Sequence, residues 1–587
     1  NAGIINIRFK KNTVKGTNGS LSTAYTQSVH SNINFSANLN HRNGSWNWFA
    51  NITARKWRQN TDGAINRFVN SNGIEKVFEN KTVDEDASRN AGFKAGADWF
   101  INKKNTLGFI VKGNEYQSRL YTPGNTFIKT GNAIDSSLFT VNDNNENSSQ
   151  YNFNLNYKFE DTLGSEFNLD ADHAVYSRRT TGFVTTDLLN NQQVKYGYTA
   201  NDQYAAMNVK IYSMKADFSK QLKKNNIKIE CGLKWNTVQT SSDLDAFVWN
   251  GSQFAADTGR TNFFNYTESQ YSAYASFTHK IKKWEYQFGL RSEYSVIKGK
   301  STDLKNILLN YPDTAYLNLF PSVFLRYTIN DRNNIGISYS KRINRPNYYD
   351  LNPFEYIYDN YSKSKGNPYL LPEFSNNVEI SYSYRGALNI GLGYRHTIQS
   401  FQQVSTLKGE VTSAMQQNAG SEDRLYLNVS LGIPLTKWWE SYFNLSPHFN
   451  TFSGSLPQGN LDNKALGMGW YGSQRFSLPG KWNVQVSSWG SIATRNAMVK
   501  TAWLGSVDAG VSKSISKDRI NLRLSVTDIF QTQRWLQYVD FGNVRYNYNR
   551  KWESQQVRLQ LTWKFGKTSF RERERELGAQ DEMNRVK

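Results

Sequence analysis

Six histidines and one cysteine are the side chains best suited to metal or nucleophilic chemistry here, and their spacing supports neither. His30, His41, His173, His279, His396 and His448 are scattered, with no HExxH and no pairing at metal-ligand spacing. Cys231 stands alone, so it has no partner for an internal disulfide or a CxxC site. No nucleophile elbow or Ser/His/Asp order stands out. The expectation is therefore no catalytic residue, no metal, no cofactor and no enzyme. Two other groups suit recognition. Tyr356, Tyr358 and Tyr361 fall within six residues and could stack a sugar or aromatic ligand; the competing reading is ordinary loop packing. Arg342, Arg345 and Glu373 could form an ion-pair network or contact a ligand.

The elements that must position these residues are short alternating segments. Phe153–Phe159 alternates apolar and polar residues, turns at Glu160–Gly164, and resumes alternation over Phe167–Val175. Short polar turns recur at Arg42–Ser45, Asn102–Asn105, Lys223–Asn226, Lys280–Lys283, Asn330–Asn334, Pro434–Lys437 and Ser516–Arg519. Between them lie long insertions such as Ser118–Ser149, Arg179–Ala205, Tyr349–Pro372 and Phe530–Glu553. Alternating short and long connections are the pattern of an all-β transmembrane antiparallel β-barrel, with short periplasmic turns and long extracellular loops. About 22 strands can be counted, which gives a lumen too wide for side chains to fill.

Composition agrees with a barrel. The mean hydropathy is −0.67, and only 38% of the 587 residues are hydrophobic, yet 14% are aromatic, too many for a disordered chain. No apolar run is long enough for a transmembrane helix. In a barrel only alternate residues meet lipid, so hydropathy averages out while ring closure pairs the backbone. Trp46, Trp48, Trp99, Trp284, Trp438, Trp439, Trp482 and Trp563 sit beside short turns or the final strand end, as expected of a periplasmic aromatic girdle. The formal net charge of +21 is spread over turns and alternate strand positions. It reads as lumen and loop charge with some contacts to lipid phosphates, not as a nucleic-acid stripe.

Several segments resemble one family. Asn1–Lys11, with Gly3-Ile4-Ile5-Asn6-Ile7, is similar to the last plug strand of TonB-dependent receptors. Tyr339–Tyr348 contains Arg342, Arg345 and Pro346; Asp350–Phe354 contains Asn352 and Pro353; Gly366–Glu373 contains Gly366, Asn367, Pro368 and Glu373. Together they resemble the barrel motif of TonB-dependent receptor-like outer-membrane proteins of Bacteroidota type. Val526–Trp535 and Trp552–Lys567 are also similar. The resemblance implies a plug end at 1–12, a barrel over 13–567, and leaves a charged periplasmic tail at 568–587. The motif residues fall at the rim or in a loop.

The resemblance further implies an integral bacterial outer-membrane receptor that takes up an unidentified ligand with TonB. A secretory signal, a plug domain and a TonB box are expected upstream of Asn1. The alternative is a receptor-like barrel acting as a structural scaffold with surface lipoproteins in a larger outer-membrane complex. Outer-membrane lipid and lipopolysaccharide are expected partners; nucleic acid is not.

Overall fold

The computed structural model of the chain describes residues 15–71, 73–304, 308–456, 458–566 and 578–586. The expected plug end at 1–12 and the first part of the tail lie outside the described residues. Twenty-two strands form the barrel wall. They are Gly16–Gln27, Ser31–Asn43, Trp46–Ser71, Ile74–Phe100, Asn105–Thr130, Ala133–Glu160, Ser165–Asn190, Lys195–Leu222, Ile227–Trp249, Asn262–Ile281, Trp284–Asp303, Leu308–Asn330, Asn333–Asn344, Glu373–Tyr384, Leu388–Ile398, Ser421–Pro434, Trp439–Leu456, Gly459–Leu478, Trp482–Ser491, Leu504–Ile515, Ile520–Thr527 and Gln556–Gly566. Each pairs antiparallel with its chain neighbours. The last strand pairs with the first, Leu21 opposite Trp563 and Tyr25 opposite Leu559, which closes the ring. Closure leaves no unpaired sheet edge in lipid.

Alternation sets the two faces. Ile52, Phe93, Phe109, Leu155, Leu233, Leu290 and Leu561 are exposed on the outside, while the residues between them face the lumen. Seven of the expected girdle tryptophans are exposed at the short-turn end. Trp46 stacks on Trp48 and Trp99 with ring centroids 5.3 and 5.6 Å apart. The eighth, Trp439, is half-buried and donates to Gln474 Oε1 at 2.8 Å.

The long connections differ from expectation. Ser118–Ser149 and Arg179–Ala205 are not loops: strand pairing continues through them, broken only by the turns at 131–132 and 191–194. Above the lipid the outer face meets water, so apolar alternation fades while the backbone ladder still gains by pairing. The wall is therefore tall on the side of the Trp46–Ser71 to Ile227–Trp249 strands. Val544–Trp552, within the expected Phe530–Glu553 insertion, pairs with Thr61–Phe68 and extends that wall.

A carboxylate fastens the barrel seam at the rim. Glu553 accepts from Ser28 Oγ at 2.5 Å, from His30 Nδ1 at 2.9 Å and from the Asn60 N–H at 2.9 Å. Burial pushes its pKa up, but these hydrogen bonds outweigh burial and hold it below the usual carboxylate range. A depressed pKa gives stability that is present above the unfolded pKa and lost as pH falls through the folded one. Acidification below about pH 4 should therefore loosen the seam of the native protein. The pH dependence of thermal unfolding in detergent checks this. Glu553→Gln should be less stable at neutral pH and lose less on acidification.

Candidate functional site

The mouth of the barrel is filled by its own loops. Glu355–Asp359, Ser362–Lys365, Phe401–Lys408 and Val411–Asn418 form a separate four-stranded sheet. It comes from two neighbouring connections, and it touches the wall on three sides. On the first, Tyr361 packs edge-on against Phe78 at 4.9 Å beside Val69 and Ile128, and its C=O accepts from Arg67. There Lys76 also pairs with Glu410 at 2.9 Å. On the second, Thr199 Oγ1 donates to Asn360 Oδ1 at 3.2 Å. On the third, Gln458 and Asn543 donate to the Ser405 and Leu407 carbonyls, and Val404 is buried with Phe452 and Val539. The sheet is a cap across the mouth.

Between cap and wall lies a cavity of about 250 Å³ lined by both apolar and polar side chains. Arg178 and Glu146 face each other in it at 2.7 Å. Arg178 sits over the Tyr349 ring at 5.6 Å, and Tyr349 stacks on Tyr356 at 5.6 Å. Burial pushes the Tyr356 phenol up to about 12 and Tyr349 higher, so both remain neutral donors. An ion pair beside stacked phenols can bind a polar ligand with a flat face.

The expected stacking residues thus divide. Tyr356 and Tyr358 line the cavity; Tyr358 is exposed and bonds Ser364 at 2.9 Å. Tyr361 does not line it and belongs to the apolar contact with Phe78. Tyr349 and Arg178 were missed by sequence reading. Arg178-Arg179 gave one signal: on a strand, one of two adjacent arginines must point inward.

The motif residues act mainly as fasteners. A Cβ on Gly366 would lie 1.8 Å from the Asn352 carbonyl oxygen, so backbone occupies the space a side chain needs. Asn352 is buried, and its Oδ1 accepts from the Phe354 N–H across Pro353. Asn367, ahead of Pro368 in the turn, donates its N–H to Asp350 O at 2.6 Å and its Nδ2 to Gln416 O at 3.0 Å. Glu373 accepts from Asn344 Nδ2 at 2.8 Å and from the Phe401 N–H. These bonds seat the cap on the loop beneath it. Gly366→Ala should unseat it, and faster protease cleavage within 401–418 measured on the folded barrel checks this.

The Arg342–Arg345–Glu373 network does not form. Arg342 is exposed towards the lumen on the Asn333–Asn344 strand, two residues from Asn344 on the face that meets Glu373. Arg345 has left the strand and turned to other carboxylates: Glu293 at 2.8 Å and Glu268 at 3.4 Å. Pro346 ends the ladder just there, which frees Arg345 to cross the lumen.

The chain's end meets the same carboxylates. Gly578–Val586, with a short helix at Gln580–Asn584, lies against the inner wall instead of projecting from the short-turn end as the charged tail was expected to. Arg585 bonds both oxygens of Glu268, at 3.0 and 2.9 Å, and donates from Nε to Pro346 O at 3.0 Å. Its guanidinium covers Tyr348 at 4.3 Å, and Glu582 pairs with Lys234 at 2.9 Å. Ala579, Met583 and Val586 join a buried cluster with Tyr348, Leu351 and Phe354. Glu268 is only 2% exposed, so a buried carboxylate demands such partners.

Comparison with known proteins supplies the family. The profile of the Outer membrane protein beta-barrel family matches residues 157–563. The chain belongs to that family. It is integral to the outer membrane. Its fold is similar to that of the FrpB iron transporter from Neisseria meningitidis, with a TM-score of 0.61 and 13% identity over 94% of this chain and 82% of that one. It is also similar to the ferric yersiniabactin uptake receptor FyuA from Yersinia pestis, with a TM-score of 0.60 and 11% identity over 95% and 81%. A third is the siderophore receptor PirA from Pseudomonas aeruginosa, with a TM-score of 0.54 and 12% identity over 95% and 82%. No curated protein matches the chain in sequence. The chain thus shares its barrel fold with these iron and siderophore receptors.

Proposed function

We propose that this barrel is the outer-membrane part of a TonB-dependent receptor that binds a ligand under its cap and imports it. The observation that carries this reading is the cap itself: a diffusion pore has no use for a folded sheet fastened across its mouth on three sides. The ligand first meets Tyr358 and Tyr356, then the Arg178–Glu146 pair. Passage beyond them requires the cap and whatever fills the lumen to move, which is where the plug and TonB enter. The similar structures include iron and siderophore receptors, and the cavity's charge and flat rings suit a polar chelate of that general kind. Cells expressing the complete precursor should deplete particular small molecules from their medium only while the inner-membrane proton gradient and TonB are intact. Depletion indifferent to the gradient would overturn this reading.

A second reading, a scaffold for surface lipoproteins, draws on one feature. Phe139, Phe183, Tyr204 and Phe254 are exposed on the outer side of the tall hairpins, well above the lipid. Exposed aromatic surface of that sort suits a protein partner. Co-purification from native membranes that fails when Phe183 and Tyr204 become serine would favour it.

A further inference from the structure

The outward face of the tall wall carries a basic cluster just above the lipid belt. On adjacent strands Lys56 stands directly opposite Arg89, and both are exposed. Like charges facing each other across a ladder destabilise a sheet unless an anion joins them. One rung higher on the same face, Arg58 and Arg119 flank Ala87. Among the described residues no carboxylate lies within ion-pair distance of Lys56, Arg58 or Arg89. Arg119 is already held by Asp143, at 2.7 Å, and the exposed Glu85 lies at the upper edge.

Two depressions open on this face. One of about 250 Å³ is lined by Lys56, Arg58, Arg89, Gln117, Arg119 and Asn147 among others. The other, of about 370 Å³, adjoins it through Arg58 and Arg119. The height of the cluster names its occupant. Ile52 and Phe93, four residues below Lys56 and Arg89 on their strands, are exposed at the top of the apolar belt. At about 3.3 Å per residue the cations stand roughly 13 Å further along the strands, where headgroups begin. The long-hairpin end of an outer-membrane barrel is the extracellular one, so these headgroups belong to the outer leaflet.

We infer that Lys56, Arg58 and Arg89 form a binding site for the phosphorylated headgroup of an outer-leaflet glycolipid of the lipopolysaccharide class. The phosphate bridges the opposed Lys56 and Arg89, Arg58 closes the site from above, and Gln117 and Asn147 offer amide donors to the sugar. The acyl chains lie down the face past Ile52 and Phe93. The inference needs only the barrel and its orientation and stands whether or not the protein is a transporter.

The test uses the full barrel in detergent, freed of native lipid and incubated with a phosphorylated glycolipid, the same lipid with its phosphates removed, or inorganic phosphate. Native mass spectrometry reads the bound lipid, and thermal unfolding reads its effect. The phosphorylated lipid should remain bound and raise the melting temperature; the dephosphorylated lipid and inorganic phosphate should do neither. Lys56→Gln/Arg58→Gln/Arg89→Gln should reduce retention about a hundred-fold while leaving strand content unchanged. Equal retention of the two lipids would show that acyl contact alone suffices, and binding of inorganic phosphate alone would show a simple anion site; either overturns the inference. The lipid comparison stands on the unsubstituted protein even if the triple variant fails to fold.

Discussion

Glu268→Ala should release residues 578–586 from the lumen. Among the described residues Glu268 is the one carboxylate that meets both Arg345 and Arg585, and Tyr266 also donates to it at 2.9 Å. Removing one member of a buried charge network costs about 3–5 kcal/mol, because the remaining charge stays buried and unpaired. Arg345 keeps Glu293, but Arg585 is left with the Pro346 carbonyl and the Tyr348 ring and no carboxylate among the described residues. The cheapest relief is for the short segment to leave, since what then holds it is a few kcal/mol of apolar burial at Met583 and Val586 and the Glu582–Lys234 pair. Trypsin should then cut after Arg585 in the variant and spare it in the native protein. Glu268→Ala with Arg585→Met should reseat the segment, because no charge is then left stranded; a glutamate-specific protease cutting after Glu582, a site present in both variants, should cleave the single variant and spare the double one. Equal trypsin sensitivity of Glu268→Ala and native protein would contradict the seating of this segment.

Leu290→Arg should destabilise the barrel by about 2–4 kcal/mol, and Ser276→Arg by much less. Leu290 is 50% exposed on the lipid face, directly opposite Ala275, and lies six residues above Trp284 of the girdle. Ser276 is the next residue after Ala275, and the pleat turns it inward to the wet lumen. The two substitutions place the same charge on neighbouring positions and differ only in what it meets. Urea unfolding of the barrel reinserting into lipid vesicles separates them. Equal costs would mean that the two faces have been exchanged or that the register is off by one residue.

The wall was legible because its signal is local. Alternation, short polar turns and tryptophans beside those turns are each set within a dozen residues, and Trp46, Trp99 and Trp563 are exposed beside such turns or the final strand end. The hairpins above the lipid were misjudged because alternation reports lipid on one face, and the outward residues of Asn142–Ser149 stand above it while Asn144 and Glu146 line the cavity under the cap. The cap was not legible at all. Residues 362–365 and 412–415 pair in parallel across fifty residues, a contact no local pattern encodes. The same limit hid Arg178 beside Tyr349 and Arg585 beside Glu268, each a meeting of distant strands or loops. The resemblance drew attention to Arg345, Gly366 and Asn367, but only geometry revealed that they fasten a loop instead of facing an open mouth.

The central claim is that the four-stranded cap must move for the barrel to take up its ligand. Thr199 on the wall and Asn360 on the cap are joined side chain to side chain, and Cys231 is the chain's one native thiol. Thr199→Cys/Asn360→Cys in a Cys231→Ser background, bridged by a short reducible thiol cross-linker, would hold cap and wall together. Gradient-dependent depletion of small molecules from the medium should cease when the bridge forms and return on reduction. Each single-cysteine variant treated alike should keep it. Undiminished depletion through the bridged protein would contradict the account, because a ligand would then be passing a mouth that cannot open.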